Sequence, residues 1–303
     1  MARALVEVIE YTDPGCSWAW GTEPKLRRLR WRYGDRLSWR RVLGGLVGDM
    51  ERYTPGFDAP RAAGHFGRYW RSVAERTGMP FPAPLVRMYR STEPSCRAVK
   101  AAELQGDVVA GGVLRRLRES TFVFGDPPDE RERILASVVG VGGLDRERLA
   151  RDLDSAEVER AFRADWEETR QPSDLVRNLP EGEGSGRAKY SEGHWRYVFP
   201  TVVFRGPGGE HTAAGWQPYE AYVAALEAAS RGASAAARAR PDPNPEEVLA
   251  TWGTVAAYEL DFLCGNGALP PRDAIAHRWD GGLLWMVPAE ATARGVALRP
   301  SAA

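Results

Sequence analysis

Tyr11-Thr12-Asp13-Pro14-Gly15-Cys16-Ser17-Trp18-Ala19-Trp20-Gly21 decides the fold. Residues 4–11 run into it as an apolar, β-branched stretch without glycine or proline, the pattern of a buried strand. Residues 23–33 leave it with Leu26, Leu29 and Trp31 at helical spacing among arginines. Cys16 therefore falls where a strand ends and a helix begins. A cysteine there meets unpaired backbone N–H groups and the positive end of the helix dipole, and both favour thiolate over thiol. Three positions on stands Ala19, so no second thiol is offered within the same turn.

Pro24 is expected to kink the helix, since it lacks an N–H and crowds the carbonyl of Trp20. Residues 36–47 read as a second strand, which makes the first 47 residues a βαβ unit with parallel strands. From about residue 51 to 176 the pattern turns helical, with helices expected over 61–76, 94–105, 108–122, 129–139, 145–153 and 156–170. Pro94 opens one of these helices, and acidic first turns open others, at Asp145 and Asp154.

Residues 178–193 form a glycine-rich stretch containing Gly182-Glu183-Gly184-Ser185-Gly186-Arg187-Ala188-Lys189. No glycine precedes Lys189 and no strand leads in, so it is not a nucleotide phosphate loop. It reads as a surface loop, with a loop lying over Cys16 as the alternative. Residues 196–204 read as a strand with Pro200 inside it. Proline is excluded from central strands, so a special bend is expected, with a cis bond between Phe199 and Pro200. Residues 211–215 are its hairpin partner and residues 219–229 a closing helix. Residues 230–244, rich in Ala, Arg, Pro and Ser, read as a linker. The last unit is expected as a helix over 246–264, a short helix over 271–279 and a strand over 283–287, an order like a reduced winged helix.

The 41 basic and 41 acidic residues cancel, so no bulk field draws the chain to nucleic acid or membrane. The C-terminal unit lacks a basic recognition face, which excludes DNA binding from the expectation. The cysteines, Cys16, Cys96 and Cys264, are too few and too scattered for a disulfide framework or a zinc site. His65, His194, His211 and His277 show no ligating spacing, so no metal is expected. No signal-peptide pattern and no long apolar segment are present, which leads to the expectation of a cytoplasmic protein with reduced thiols. Cys96 and Cys264 sit in apolar helical patterns and read as packing residues, with Cys96 also a candidate remote resolving thiol.

Asp13-Pro14-Gly15-Cys16-Ser17-Trp18-Ala19-Trp20-Gly21 resembles the active-site segment of the cytosolic DsbA-like family, which includes FrnE-type disulfide isomerases. Phe199-Pro200-Thr201 resembles that family's cis-proline segment facing the active-site cysteine, and residues 51–176 resemble its helical insertion. The resemblance implies an α/β, thioredoxin-like fold with a large helical insertion and a small C-terminal α+β appendage. The domains would be residues 1–50 with 177–230, residues 51–176, and residues 231–303. It implies catalytic roles for Cys16, Ser17 and Pro200, and binding of substrate or a thiol cofactor by Trp18, Trp20, Phe199 and Thr201.

The family's second cysteine is replaced by Ala19. That leaves a single-thiol oxidoreductase or isomerase with no tightly bound cofactor and a low-molecular-weight thiol as co-substrate. The same layout is similar to kappa-class glutathione transferases and their isomerase relatives, which would make the chemistry that of a bound thiol cofactor. A third implication is a non-catalytic adaptor, because the family also contains binding members. Expected partners are protein or small-molecule thiols and disulfides, and the C-terminal unit leaves room for a homodimer.

Overall fold

The computed structural model describes residues 6–182, 184–191, 193–231 and 239–297. In chain order the elements are β1 (Val6–Thr12), α1 (Ser17–Tyr33), β2 (Leu37–Leu43), α2 (Met50–Tyr53), α3 (Ala59–Thr77), α4 (Glu93–Glu103), α5 (Asp107–Phe122), α6 (Arg131–Ser137), α7 (Arg146–Asp152) and α8 (Ala156–Thr169). There follow α9 (Asp174–Arg177), β3 (Lys189–Ser191), β4 (His194–Arg196), β5 (Thr201–Gly206), β6 (Gly209–Ala214), α10 (Tyr219–Ala229), α11 (Pro245–Trp252), β7 (Thr254–Ala256), α12 (Ala257–Cys264), β8 (Ile275–Trp279), β9 (Gly282–Met286) and α13 (Pro288–Ala293).

The chain divides into two compact units, Met1–Gly44 with Ala161–Asp242, and Gly45–Arg160 with Pro243–Ala303. The first is built on a sheet of order β2-β1-β5-β6. β1 pairs parallel with β2, Val6 opposite Leu37 and Thr12 opposite Leu43, and antiparallel with β5, Tyr11 opposite Thr201. β1 is central and covered on both faces, which is why its residues form a near-continuous apolar run. Beside the sheet, Tyr11 donates to Glu168 at 2.9 Å, and Arg40 holds the same carboxylate through two bonds of 2.7 Å. The Arg40 hydrogen bond is the main reason the Glu168 carboxyl lies below its usual range. These contacts fix the end of α8 to the first two strands.

α1 starts at Ser17, six residues before the expected start, and runs through Pro24 to Tyr33. β5 starts only at Thr201, immediately after Pro200, because proline has no N–H for a ladder. Arg196, expected to begin that strand, instead ends β4, and His194–Arg196 pairs with Lys189–Ser191 as a two-stranded hairpin. The glycine-rich stretch, expected to be loop throughout, contains β3. Glu183 and Glu192 of that stretch lie outside the described residues.

In the second unit, helices α2 to α7 share a core with the C-terminal segment. The expected separate appendage from residue 231 is not how the chain divides. Residues 239–242 lie with the first unit, where Trp31 donates to the Pro241 carbonyl at 2.7 Å, and residues 243–303 lie with the helical insertion. The reason is a buried network: Arg115 on α5 reaches Glu259 of α12 at 2.6 and 3.0 Å, and Glu119 of α5 binds Arg294 and Thr254. Residues 232–238 of the expected linker lie outside the described residues. The helix expected over 246–264 is two, interrupted at Gly253 (φ +70°) and β7. The short helix expected over 271–279 is strand β8, which pairs with β9 in a sheet of order β7-β9-β8.

Candidate functional site

Asp13 to Cys16 form a β-turn with Pro14 at its second position, closed by the Cys16 N–H on the Asp13 carbonyl at 3.2 Å. The Asp13 side chain accepts from the Gly15 N–H at 2.8 Å, and Asp13 is fully buried. The turn delivers Cys16 as the N-cap of α1 with extended backbone (φ −89°, ψ 113°). The Cys16 side chain does not cap its own helix. Its Sγ donates to the Phe199 carbonyl at 3.2 Å, across 183 positions of sequence.

Phe199–Pro200 is a cis peptide, as expected from the proline's position. The Phe199 ring lies over Gly44, where an added Cβ would stand 1.9 Å from Cζ. Pro200 accepts from the Gly215 N–H at 2.8 Å, and Thr201, fully buried, donates to the Val198 carbonyl at 2.8 Å. The structure thus brings Cys16, Phe199, Pro200 and Thr201 to the end of the sheet where β1 and β5 pair. Cys16 is 5% exposed, and Ser17, the first residue of α1, is buried beside it in sequence.

The two tryptophans part company. Trp18 is half-buried, its ring 6.2 Å from that of Trp216. Trp20 is 2% exposed and belongs to the core, where it has no open face for a ligand. Cys96 is fully buried in α4 of the other unit. Among the described residues no group of three or more His, Cys, Asp or Glu is arranged for a metal ion.

Two features escaped the sequence reading. Gly184 and Gly186 dock on Ala214–Trp216: Trp216 donates its N–H to the Gly184 carbonyl at 3.2 Å, and Gly184 lies beside the Trp18 ring. The glycine spacing carried the signal, because Gly186 (φ +78°) and Gly215 (φ +75°) meet backbone to backbone.

The second is Lys25, two turns beyond Cys16 on α1. Its ammonium sits 3.7 Å from the Trp216 ring centre and donates to the Gln217 carbonyl at 2.5 Å. Burial pulls Lys25 down to about 8, with the charge of Glu220 opposing. Its folded pKa lies below its unfolded one, so the folded unit binds fewer protons than the unfolded chain between about pH 8 and 10.4. Stability in denaturant is thus expected to rise with pH across that window, and Lys25→Met should flatten the rise. An identical pH slope in the variant would remove Lys25 as its cause.

Among the described residues no helix is long and apolar enough to cross a membrane. Among curated proteins, the chain is 30% identical over 181 residues to the ClpXP adapter protein SpxH of Halalkalibacterium halodurans, a match spanning 57% of this chain and 58% of that relative's length. It is 26% identical to the ClpXP adapter protein SpxH of Shouchella clausii over 86% of this chain and 78% of that protein.

Among solved structures, the cytosolic disulfide reductase DsbM of Pseudomonas aeruginosa superposes with a TM-score of 0.54 at 22% identity, over 75% of this chain and all of that one. A Nitrosomonas europaea protein proposed to be a protein disulfide isomerase gives 0.57 at 19% identity, over 76% of this chain and all of that one. These likenesses establish a shared fold, which is thioredoxin-like. The thioredoxin family model Thioredoxin_5 matches residues 10–173, which takes in the Cys16 turn, α1, β2 and the helical insertion, and the chain belongs to that family.

Proposed function

We propose that the protein carries out thiol–disulfide exchange through Cys16 as its single nucleophile, with an outside thiol completing the cycle and no tightly bound cofactor. The observation that carries this reading is the Cys16 Sγ set at the start of α1 and 3.2 Å from the backbone of Phe199, next to cis-Pro200. Once the Sγ proton leaves to solvent, the thiolate attacks one sulfur of a disulfide R–S–S–R. The S–S bond breaks, a Cys16–S–S–R bond forms, and R–S⁻ departs to take up a proton. A second thiol R′–SH, as thiolate, attacks the R sulfur, regenerates Cys16 and leaves R–S–S–R′. Ala19 offers no internal thiol for that second step, and the buried Cys96 is not needed for it. An extended substrate would pair with the backbone ahead of Pro200, and the half-buried Trp18 would form an apolar wall.

Intact-mass measurement after treatment with 2-hydroxyethyl disulfide tests the reading. One adduct is expected, absent from Cys16→Ser, and released by added thiol as fast in Cys96→Ser as in the wild type. An adduct that persists in Cys16→Ser sinks the assignment.

A second reading, a protein-binding adaptor, is favoured by the relatives named ClpXP adapter proteins and is compatible with Ala19. It predicts that a captured partner binds Cys16→Ser as well as it binds the wild type. Loss of that binding in the variant would return the weight to thiol chemistry.

A further inference from the structure

Resting on the exchange reading, we infer that Arg196, with Lys189 across the hairpin, forms an anion subsite beside Cys16 that takes a carboxylate of an acidic disulfide or thiol substrate. Arg196 and Lys189 stand directly opposite each other in the β3–β4 ladder, so their side chains share one face. Tyr190 and Trp195 pair on the other face, with ring centres 5.5 Å apart. Like charges placed directly opposite in a two-stranded ladder repel each other. Among the described residues, no carboxylate forms an ion pair with either cation.

The Arg196 Nη1 is buried and has no hydrogen-bond partner. A guanidinium stays charged at any ordinary pH, so a buried N–H without an acceptor is a standing cost that a bound anion would relieve. Its position gives the subsite a purpose. The guanidinium carbon lies 5.7 Å from the ring centre of Phe199, the residue whose carbonyl meets the Cys16 Sγ.

Arg170, in the same unit, shows the contrast. It uses its donors on the Gly44 and Trp166 carbonyls and the Thr169 hydroxyl, and it stacks on Trp166 at 3.7 Å. Arg196 keeps a donor to give, and Lys189 is exposed on the same face. A substrate carrying a carboxylate a few bonds from its sulfur would bridge the two cations while its disulfide faces Cys16.

The test compares rates of mixed-disulfide formation on Cys16 with 3,3′-dithiodipropionate, which is dianionic, and 2-hydroxyethyl disulfide, which is neutral. The wild type is expected to favour the dianion by about tenfold or more at low ionic strength, a preference that salt weakens. In Arg196→Gln the ratio should fall to near one, and in Arg196→Lys it should be partly kept. A wild-type ratio near one, or an unchanged ratio in Arg196→Gln, overturns the subsite while leaving exchange at Cys16 intact.

If Cys16 reacts with neither disulfide, the exchange reading fails, and the subsite is read separately. Ligand-observed NMR on Cys16→Ser should then show 3,3′-dithiodipropionate bound, and the signal should be lost on adding Arg196→Gln. Absence of binding to Cys16→Ser, or equal binding in the double variant, overturns it.

Discussion

Replacing Glu119 by alanine is expected to lower the stability of the unit formed by residues 45–160 and 243–303 by about 3–5 kcal/mol, because it strips the shared acceptor from a buried cluster of cations. Glu119 is fully buried and accepts from Arg115 at 2.6 Å, from the Thr254 hydroxyl at 2.6 Å and from Arg294. Those donors come from α5, β7 and the end of α13, so one carboxylate ties the helical insertion to the C-terminal segment. Burial by itself would raise the Glu119 carboxyl. Arg294, Arg115, Thr254 and Arg116 outweigh it and hold it well below the usual carboxylate range.

A carboxyl depressed in the folded state contributes stability above its unfolded pKa of about 4.3, and that contribution is lost as pH falls through the folded value. The wild type is therefore expected to weaken on acidification below about pH 4.3, and Glu119→Gln to weaken less steeply. Hydrogen exchange of the α5 and β7–β9 peptides, read by mass spectrometry against urea, measures both effects. A change under about 1 kcal/mol for Glu119→Ala would mean that the cluster rehydrates at little cost.

Gly215→Ala is expected to cost about 2–4 kcal/mol or to relieve itself by undocking the glycine loop. The new Cβ would lie 2.1 Å from the Gly184 carbonyl oxygen and 2.5 Å from the Gly186 nitrogen. Gly215 has little freedom to retreat. Its N–H is held by the Pro200 carbonyl at 2.8 Å, its carbonyl accepts from the Tyr222 hydroxyl at 3.1 Å, and its φ of +75° disfavours any side chain. The loop at Gly184–Gly186 must therefore give way. Undocking uncovers Trp18 and Trp216, so iodide quenching of tryptophan fluorescence should increase along with the loss of stability. Wild-type quenching together with wild-type stability would show that the two backbones do not press on each other as the geometry requires.

Strand β1, the junction at Cys16 and the special role of Pro200 were legible because each is a local matter. A proline without an N–H must leave the ladder wherever the strand runs, and an apolar run bounded by Asp-Pro-Gly has few other conformations open to it. The start of α1 at Ser17 was missed because Trp18, Ala19 and Trp20 show no amphipathic period. They are helical because the turn closed on Asp13 delivers them so. β8 was read as a helix because residues 275–279 become a strand only through their pairing with β9.

The sequence by itself determined the thioredoxin-like class, the position of Cys16 at a strand–helix junction and the absence of a second thiol at Ala19, since all three are written in neighbouring residues. Only the tertiary structure decided that the Cys16 Sγ meets Phe199 rather than capping α1, that Trp20 is core while Trp18 is half-open, and that Arg196 keeps a donor unused. It also decided that the C-terminal segment closes on the helical insertion. The physical reason is common to all four. Burial and hydrogen-bond satisfaction are set by what the chain brings alongside from far along the sequence, 183 residues in the case of Cys16 and Phe199, and no window of local sequence contains that partner.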